Sequence, residues 1–184
     1  MARLVPCVDV VEPTAREAVA ATRNRRIGII GTSATVKSGS YAKVIEALLP
    51  EATVFAQECP MLVPLVENGW IGEDDRIAAL TVERYLEPLK ARGIDTLILG
   101  CTHFPLLVPH IAAYLGKDVA LISAGAAAAK ACADILKRDD LLSDGQGGTE
   151  FFVSDKGQNF KAVAKTFLGR ECSDDVNVVD INSL

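Results

Sequence analysis

The segment IDTLILGC, Ile94 to Cys101, limits the fold more than any other part of the chain. Leu97, Ile98 and Leu99 follow one another without a polar break. An extended strand of that composition is apolar on both faces, and such strands belong to parallel sheets covered on both sides. The pattern recurs. RIGIIGT (26–32) reads as a buried strand closing in a Gly-Thr turn, and ATVFAQECP (52–60), DVALIS (118–123), EFFVSD (150–155) and VNVVDI (176–181) read as further strands. Helical periods lie between them: SGSYAKVIEALLP (38–50), the stretch 73–93 with acids in its first turn and Gly93 as its stop, PLLVPHIAAYLG (105–116), the Ala-rich 124–140, and NFKAVAKTFLG (159–169). Repeated strand–helix units predict an α/β fold with a mainly parallel sheet.

Ligands of such sheets sit at the carboxyl ends of the strands. Three chemically rich stretches fall there: Thr32 to Ser40, Cys59 to Glu67, and Cys101 to His103. A Cys that ends a strand and opens a helix lies near backbone N–H groups that favour thiolate, and an adjacent His can relay a proton. Cys101 is therefore a candidate nucleophile or acid/base, set against a buried Cys beside a capping Thr102. His103 favours the functional reading. His110, deeper in the helix, reads as structural or exposed. GTSATVKSGSY (31–41) could hold an anion with backbone N–H groups and the hydroxyls of Thr32 and Thr35, or could simply be capped by Ser38 or Ser40. Glu67 closes an apolar segment as a surface residue or a polar orienter. Cys59, before Pro60, reads as a buried structural thiol.

The chain has 184 residues, 49% apolar content and a formal charge of −5, which suits a soluble globular protein and argues against nucleic acid as partner. The basic cluster Arg23–Arg26 reads as a solvated loop. No run approaches the ~20 apolar residues of a membrane span, and the N-terminus lacks a signal-peptide core. A cytoplasmic protein without membrane contact is expected. The 5 cysteines are odd in number and widely spaced, with no CxxC, so neither structural zinc nor a disulfide framework is expected. The opening residues read as a strand and helix entering from an earlier unit.

Taken together, VVEPTAREAV (10–19), IGIIGTSATVKSGSYAKVI (27–45), ECPMLVPLVENGW (58–70), LILGCTHFPLL (97–107) and FFVSDKGQNFKAVAKTFLG (151–169) resemble the glutamate racemases of the aspartate/glutamate racemase superfamily. The resemblance implies a flavodoxin-like, parallel-sheet racemase domain and cofactor-independent interconversion of L- and D-glutamate for peptidoglycan synthesis, cell wall biogenesis and cell shape. One cysteine removes the α-proton and a second protonates the opposite face. Cys101 would be the second of these. His103 and Glu67 would assist it, and Thr102, Thr35 and Thr32 would bind substrate; no metal or cofactor is implied. The family's earlier Asp-Ser, Tyr-Gly and Cys-Asn-Thr segments have no counterpart here, and Cys7 does not match the last of them. Ser123 stands where an acidic residue is expected. The resemblance thus implies a racemase domain at 11–122, with 1–10 and 123–184 a remnant of the first α/β domain whose Phe151, Phe152, Phe160 and Phe167 would be exposed. The chain alone is then expected to be inactive, with glutamate, a homodimer mate and a missing N-terminal segment as partners. A non-catalytic racemase-derived binding or regulatory module is the alternative. A third reading makes Cys101 a covalent nucleophile, as in an amidase; beyond His103 the sequence offers no triad pattern for it.

Overall fold

The computed structural model describes residues 7–154, 160–171 and 176–180. The expected opening strand lies largely outside the described residues, as do Cys172 and the ends of the last two expected strands, at Asp155 and Ile181. The chain divides into two compact units, Met1–Asp140 and Leu141–Leu184.

The first unit is α/β, as the alternating runs predict. In order it holds α1 (Val11–Ala21), β1 (Arg26–Gly31), α2 (Ser33–Ser38), α3 (Ser40–Leu48), β2 (Thr53–Glu58), α4 (Leu62–Glu67), α5 (Arg76–Ala91), β3 (Thr96–Leu99), α6 (Val108–Leu115), β4 (Ala120–Ser123) and α7 (Ala124–Arg138). The four strands form one sheet in the order β2-β1-β3-β4, and all its pairings are parallel. That is the flavodoxin-like order, in which the chain's winding reverses between β1 and β3 and a crevice opens beyond their carboxyl ends. β3 is buried at every position, as its unbroken apolar run requires. Ile27, Ile30, Leu97 and Ile98 are fully buried, each contributing about 1.5–3 kcal/mol through removal from water.

Two local features depart from expectation. The helix expected over 38–50 is α3, and an unexpected short helix, α2, precedes it in the glycine- and hydroxyl-rich stretch; Gly39 adopts the left-handed conformation (φ 63°) and turns the chain between the two. Neither Ser38 nor Ser40 caps α3, whose N-cap position is Gly39 with no side-chain cap, and Thr32 caps α2 by accepting from the Thr35 N–H. The first compact unit also runs on to Asp140, past the expected Ile122. Ser123 caps α7 by accepting from the Ala126 N–H, so that helix follows β4 without a break. The basic cluster is a loop over 23–25, where Arg25 is exposed with φ 64°, and its last member, Arg26, opens β1.

Opposite the crevice, at the amino edge of the sheet, Asp95 is buried. Its carboxylate accepts from the Thr22 hydroxyl at 2.6 Å, the Arg23 and Asn24 N–H groups at 2.6 Å each, and the Thr96 hydroxyl at 3.0 Å. Burial pushes this carboxyl up, but the bonds from Thr22, Asn24, Arg23 and Thr96 together outweigh it and hold it below the usual range. The loop before β1 is thereby tied to the start of β3.

The second unit pairs β5 (Phe151–Val153) with β6 (Val176–Val178) in parallel, joined through α8 (Phe160–Leu168). None of its described residues is buried. Phe151 and Phe160 meet edge to face with centroids 5.8 Å apart. Phe152 is 61% exposed, whereas Phe151, Phe160 and Phe167 are half-buried.

Candidate active site

All strands of the sheet run the same way, so the segments after β1, β2 and β3 emerge at one edge. Cys101 follows β3 through Gly100, and the chain then enters a 3-10 turn, Phe104–Leu107, that leads into α6. The close approach at Gly100 demands a residue without a side chain. A Cβ there would lie 2.8 Å from the Ile30 carbonyl oxygen, 3.4 Å from the Tyr41 ring and 3.5 Å from the Thr35 methyl. Gly100 also donates its N–H to the Ile30 carbonyl at 2.8 Å. The thiol-bearing turn is therefore pinned against β1, and the Thr35 side chain packs beside the residue that precedes the thiol.

Cys101 is half-buried. Its Sγ lies 3.6 Å from His103 Nδ1, and His103 Nε2 lies 3.2 Å from Glu67 Oε1. The Thr102 hydroxyl also reaches His103 Nδ1, at 3.3 Å. Glu67 arrives from α4, whose Leu62, Leu65 and Val66 are buried and fix the helix that ends at the carboxylate. The imidazole is largely enclosed, with its side chain 20% exposed, while Glu67 is 52% exposed. Four of the six predicted site residues thus form one contact chain, Thr102 and Cys101 to His103 to Glu67. Thr32 and Thr35 form a second pair across the switch point, their hydroxyls 3.1 Å apart.

Two further groups at this edge were not picked out from sequence. Ser33 donates its hydroxyl to Glu58 Oε2, tying the start of α2 to the end of β2. No local signal marks either residue, since the pair forms only when β1 and β2 lie side by side. Cys59 sits at the same edge but is sealed, and its thiol faces the Gln57 carbonyl at 3.6 Å. Burial pushes that thiol up to about 12 despite a lowering contact with the Gly31 backbone, so it is protonated and inert at neutral pH. His110 is structural: it is buried, and its Nε2 lies 2.9 Å from the Gly72 carbonyl oxygen. Among the described residues, no group of three or more His, Cys, Asp or Glu side chains is arranged to hold a metal ion.

A parallel sheet with an accessible thiol, an imidazole and a carboxylate in line at its switch point defines a class of proton-transfer or thiol-dependent enzymes. Comparison with known proteins narrows it. Residues 1–132 match the Asp/Glu/Hydantoin racemase family, and the chain belongs to that family. A glutamate racemase of Geobacter metallireducens is 43% identical over 172 residues, 92% of this chain and 63% of that protein. One from Neisseria gonorrhoeae is 44% identical over 168 residues, 90% of this chain and 61% of the relative. Among solved structures, a glutamate racemase isoform of Bacillus anthracis superposes with a TM-score of 0.88 at 36% identity, covering 98% of this chain and 66% of that one. The Francisella tularensis glutamate racemase, solved with D-glutamate, gives 0.88 at 29% identity, covering 100% of this chain and 67% of the other. The chain spans somewhat under two thirds of the length of the curated relatives it matches.

Proposed function

We propose that this chain carries the Cys101 side of a glutamate racemase active site. Cys101 exchanges the α-proton of L-glutamate on one face. His103, held by Glu67, accepts and returns the thiol proton, and Thr102, Thr35 and Thr32 bind the substrate. The observation that carries this reading is the unbroken contact from Cys101 through His103 to Glu67, with Thr35 packed beside Gly100. The similarity to glutamate racemases over nine tenths of the chain supports glutamate as substrate.

Inversion needs an acid on the opposite face as well as a base. Cys59 cannot serve, being sealed under the same sheet edge. We infer that a second thiol, on a segment resembling the family's Cys-Asn-Thr stretch, faces Cys101 when the cleft is complete, and that residues 141–184 belong to the domain supplying it. The physiological role is then D-glutamate supply for peptidoglycan in the cytoplasm, by an enzyme that works as a homodimer. No described helix is long and apolar enough to cross a membrane.

The test is incubation of L-glutamate with the chain in deuterated water, followed by mass spectrometry and polarimetry. The chain alone is expected to exchange the α-proton slowly without inversion. With a racemase N-terminal segment supplied in trans, D-glutamate should accumulate, and Cys101→Ala should abolish both reactions. Inversion undiminished by Cys101→Ala would overturn the assignment, and glutamate binding without any exchange would favour the non-catalytic module.

A further inference from the structure

We propose that the same three side chains give this protein a second, independent chemistry: covalent acyl transfer at Cys101 on small activated esters and thioesters. The sequence offered a thiol and an imidazole, with Glu67 only implied by the resemblance and no contact joining it to His103. The fold supplies that contact. Glu67 is brought to His103 Nε2 at 3.2 Å by α4, while His103 Nδ1 faces Cys101 Sγ at 3.6 Å. A nucleophile within reach of a base, and that base oriented through its other nitrogen by a carboxylate, is the arrangement that activates covalent thiol catalysis. The thiol also stands on a strand–turn–helix bend after a glycine and is half-buried rather than sealed in the core.

In the tautomer that donates Nε2–H to Glu67, Nδ1 takes the Cys101 proton. The sulfur attacks the ester carbonyl carbon, a C–S bond forms, and the carbonyl electron pair moves to oxygen. Its return breaks the C–O bond to the alcohol, which leaves with the proton held on His103. Water, deprotonated by Nδ1, then attacks the thioester. The C–S bond breaks, the carboxylic acid departs and the thiol is restored. Nothing is oxidised or reduced, and no other co-reactant is needed.

The chain holds its own controls. Cys7 and Cys132 are more exposed than Cys101, and Cys59 is buried. Simple accessibility therefore predicts faster acylation at Cys7 and Cys132, and activation predicts the reverse. The experiment treats the full 184-residue chain with p-nitrophenyl acetate and follows acetylation of each cysteine by peptide mass spectrometry. Cys101 should acylate about a hundredfold or more faster than Cys7 or Cys132, in line with the usual size of general-base assistance, with a burst of nitrophenolate and slow turnover. His103→Asn should bring Cys101 down to the rate of the exposed thiols. Glu67→Gln, at a half-exposed position that tolerates substitution, should reduce the advantage while leaving the circular dichroism spectrum intact. Should Cys101 acylate no faster than Cys7 and Cys132, or keep its advantage in both variants, the proposal is overturned. The racemase reading is untouched by either result, because no glutamate is present in the assay.

Discussion

At the scale of single residues, two buried titratable groups set opposite pH limits on the fold. Asp95 is held below the ordinary carboxylate range, so its stabilising contribution is complete above that range and disappears as pH falls through its folded-state value. All four of its partners are donors, so Asp95→Asn would set an amide NH₂ or an uncharged oxygen against them. A loss of about 2–4 kcal/mol is expected, measured by urea unfolding at neutral pH, and the variant's stability should fall less steeply on acidification. Cys59 works from the alkaline side. Its folded-state value is raised from 9.0 to about 12, so stability is complete below 9.0 and is lost as pH climbs toward 12. Within that window each pH unit costs at most about 1.4 kcal/mol, and Cys59→Ala should flatten the decline. Gly100→Ala tests the pinning of the thiol turn. The added methyl would meet the Ile30 carbonyl at 2.8 Å, and a cost of about 1–3 kcal/mol is expected from overpacking, with slower acylation of Cys101.

At the scale of elements, the strands were legible because burial on both faces writes an unbroken apolar run, as in Leu97–Leu99. The three strand-end stretches could be placed at one edge because parallel strands leave no other choice. What could not be read was whatever depends on a partner distant in sequence. The bond between Glu67 and His103 joins residues on α4 and on the turn after β3, and neither carries a mark that names the other. The Ser33–Glu58 pair and the His110–Gly72 contact escaped for the same reason. The helix α2 was missed because its six residues, SATVKS between Gly31 and Gly39, are too few to show a helical period and read as a hydroxyl-rich loop. Gly39→Ala should cost about 1 kcal/mol, from placing a Cβ in the left-handed region, and chemical denaturation will measure it. Asp75, which caps α5 by accepting from the Ile77 and Ala78 N–H groups at 2.9 Å each, is worth about 1 kcal/mol by the same measurement on Asp75→Ala.

At the scale of the whole molecule, the two units differ in what holds them. The first surrounds a four-stranded sheet with buried aliphatic side chains. The second has no buried residue among those described. Opening free energy follows buried contact, so amides of β5 and α8 should exchange with deuterium well before those of β1 and β3. Mild proteolysis should cut first within 141–150, an exposed stretch without regular structure. Equal protection of both units would contradict this account. The sealed thiol of Cys59 has a use of its own in this setting. It lies fully buried in the first unit, between β2 and α4, where an alkylating reagent reaches it only when the core opens. Its labelling rate, measured without denaturant, is therefore a built-in clock for unfolding of the first unit. The same clock would register, as a slowing, any ligand or added segment that closes over the crevice above it.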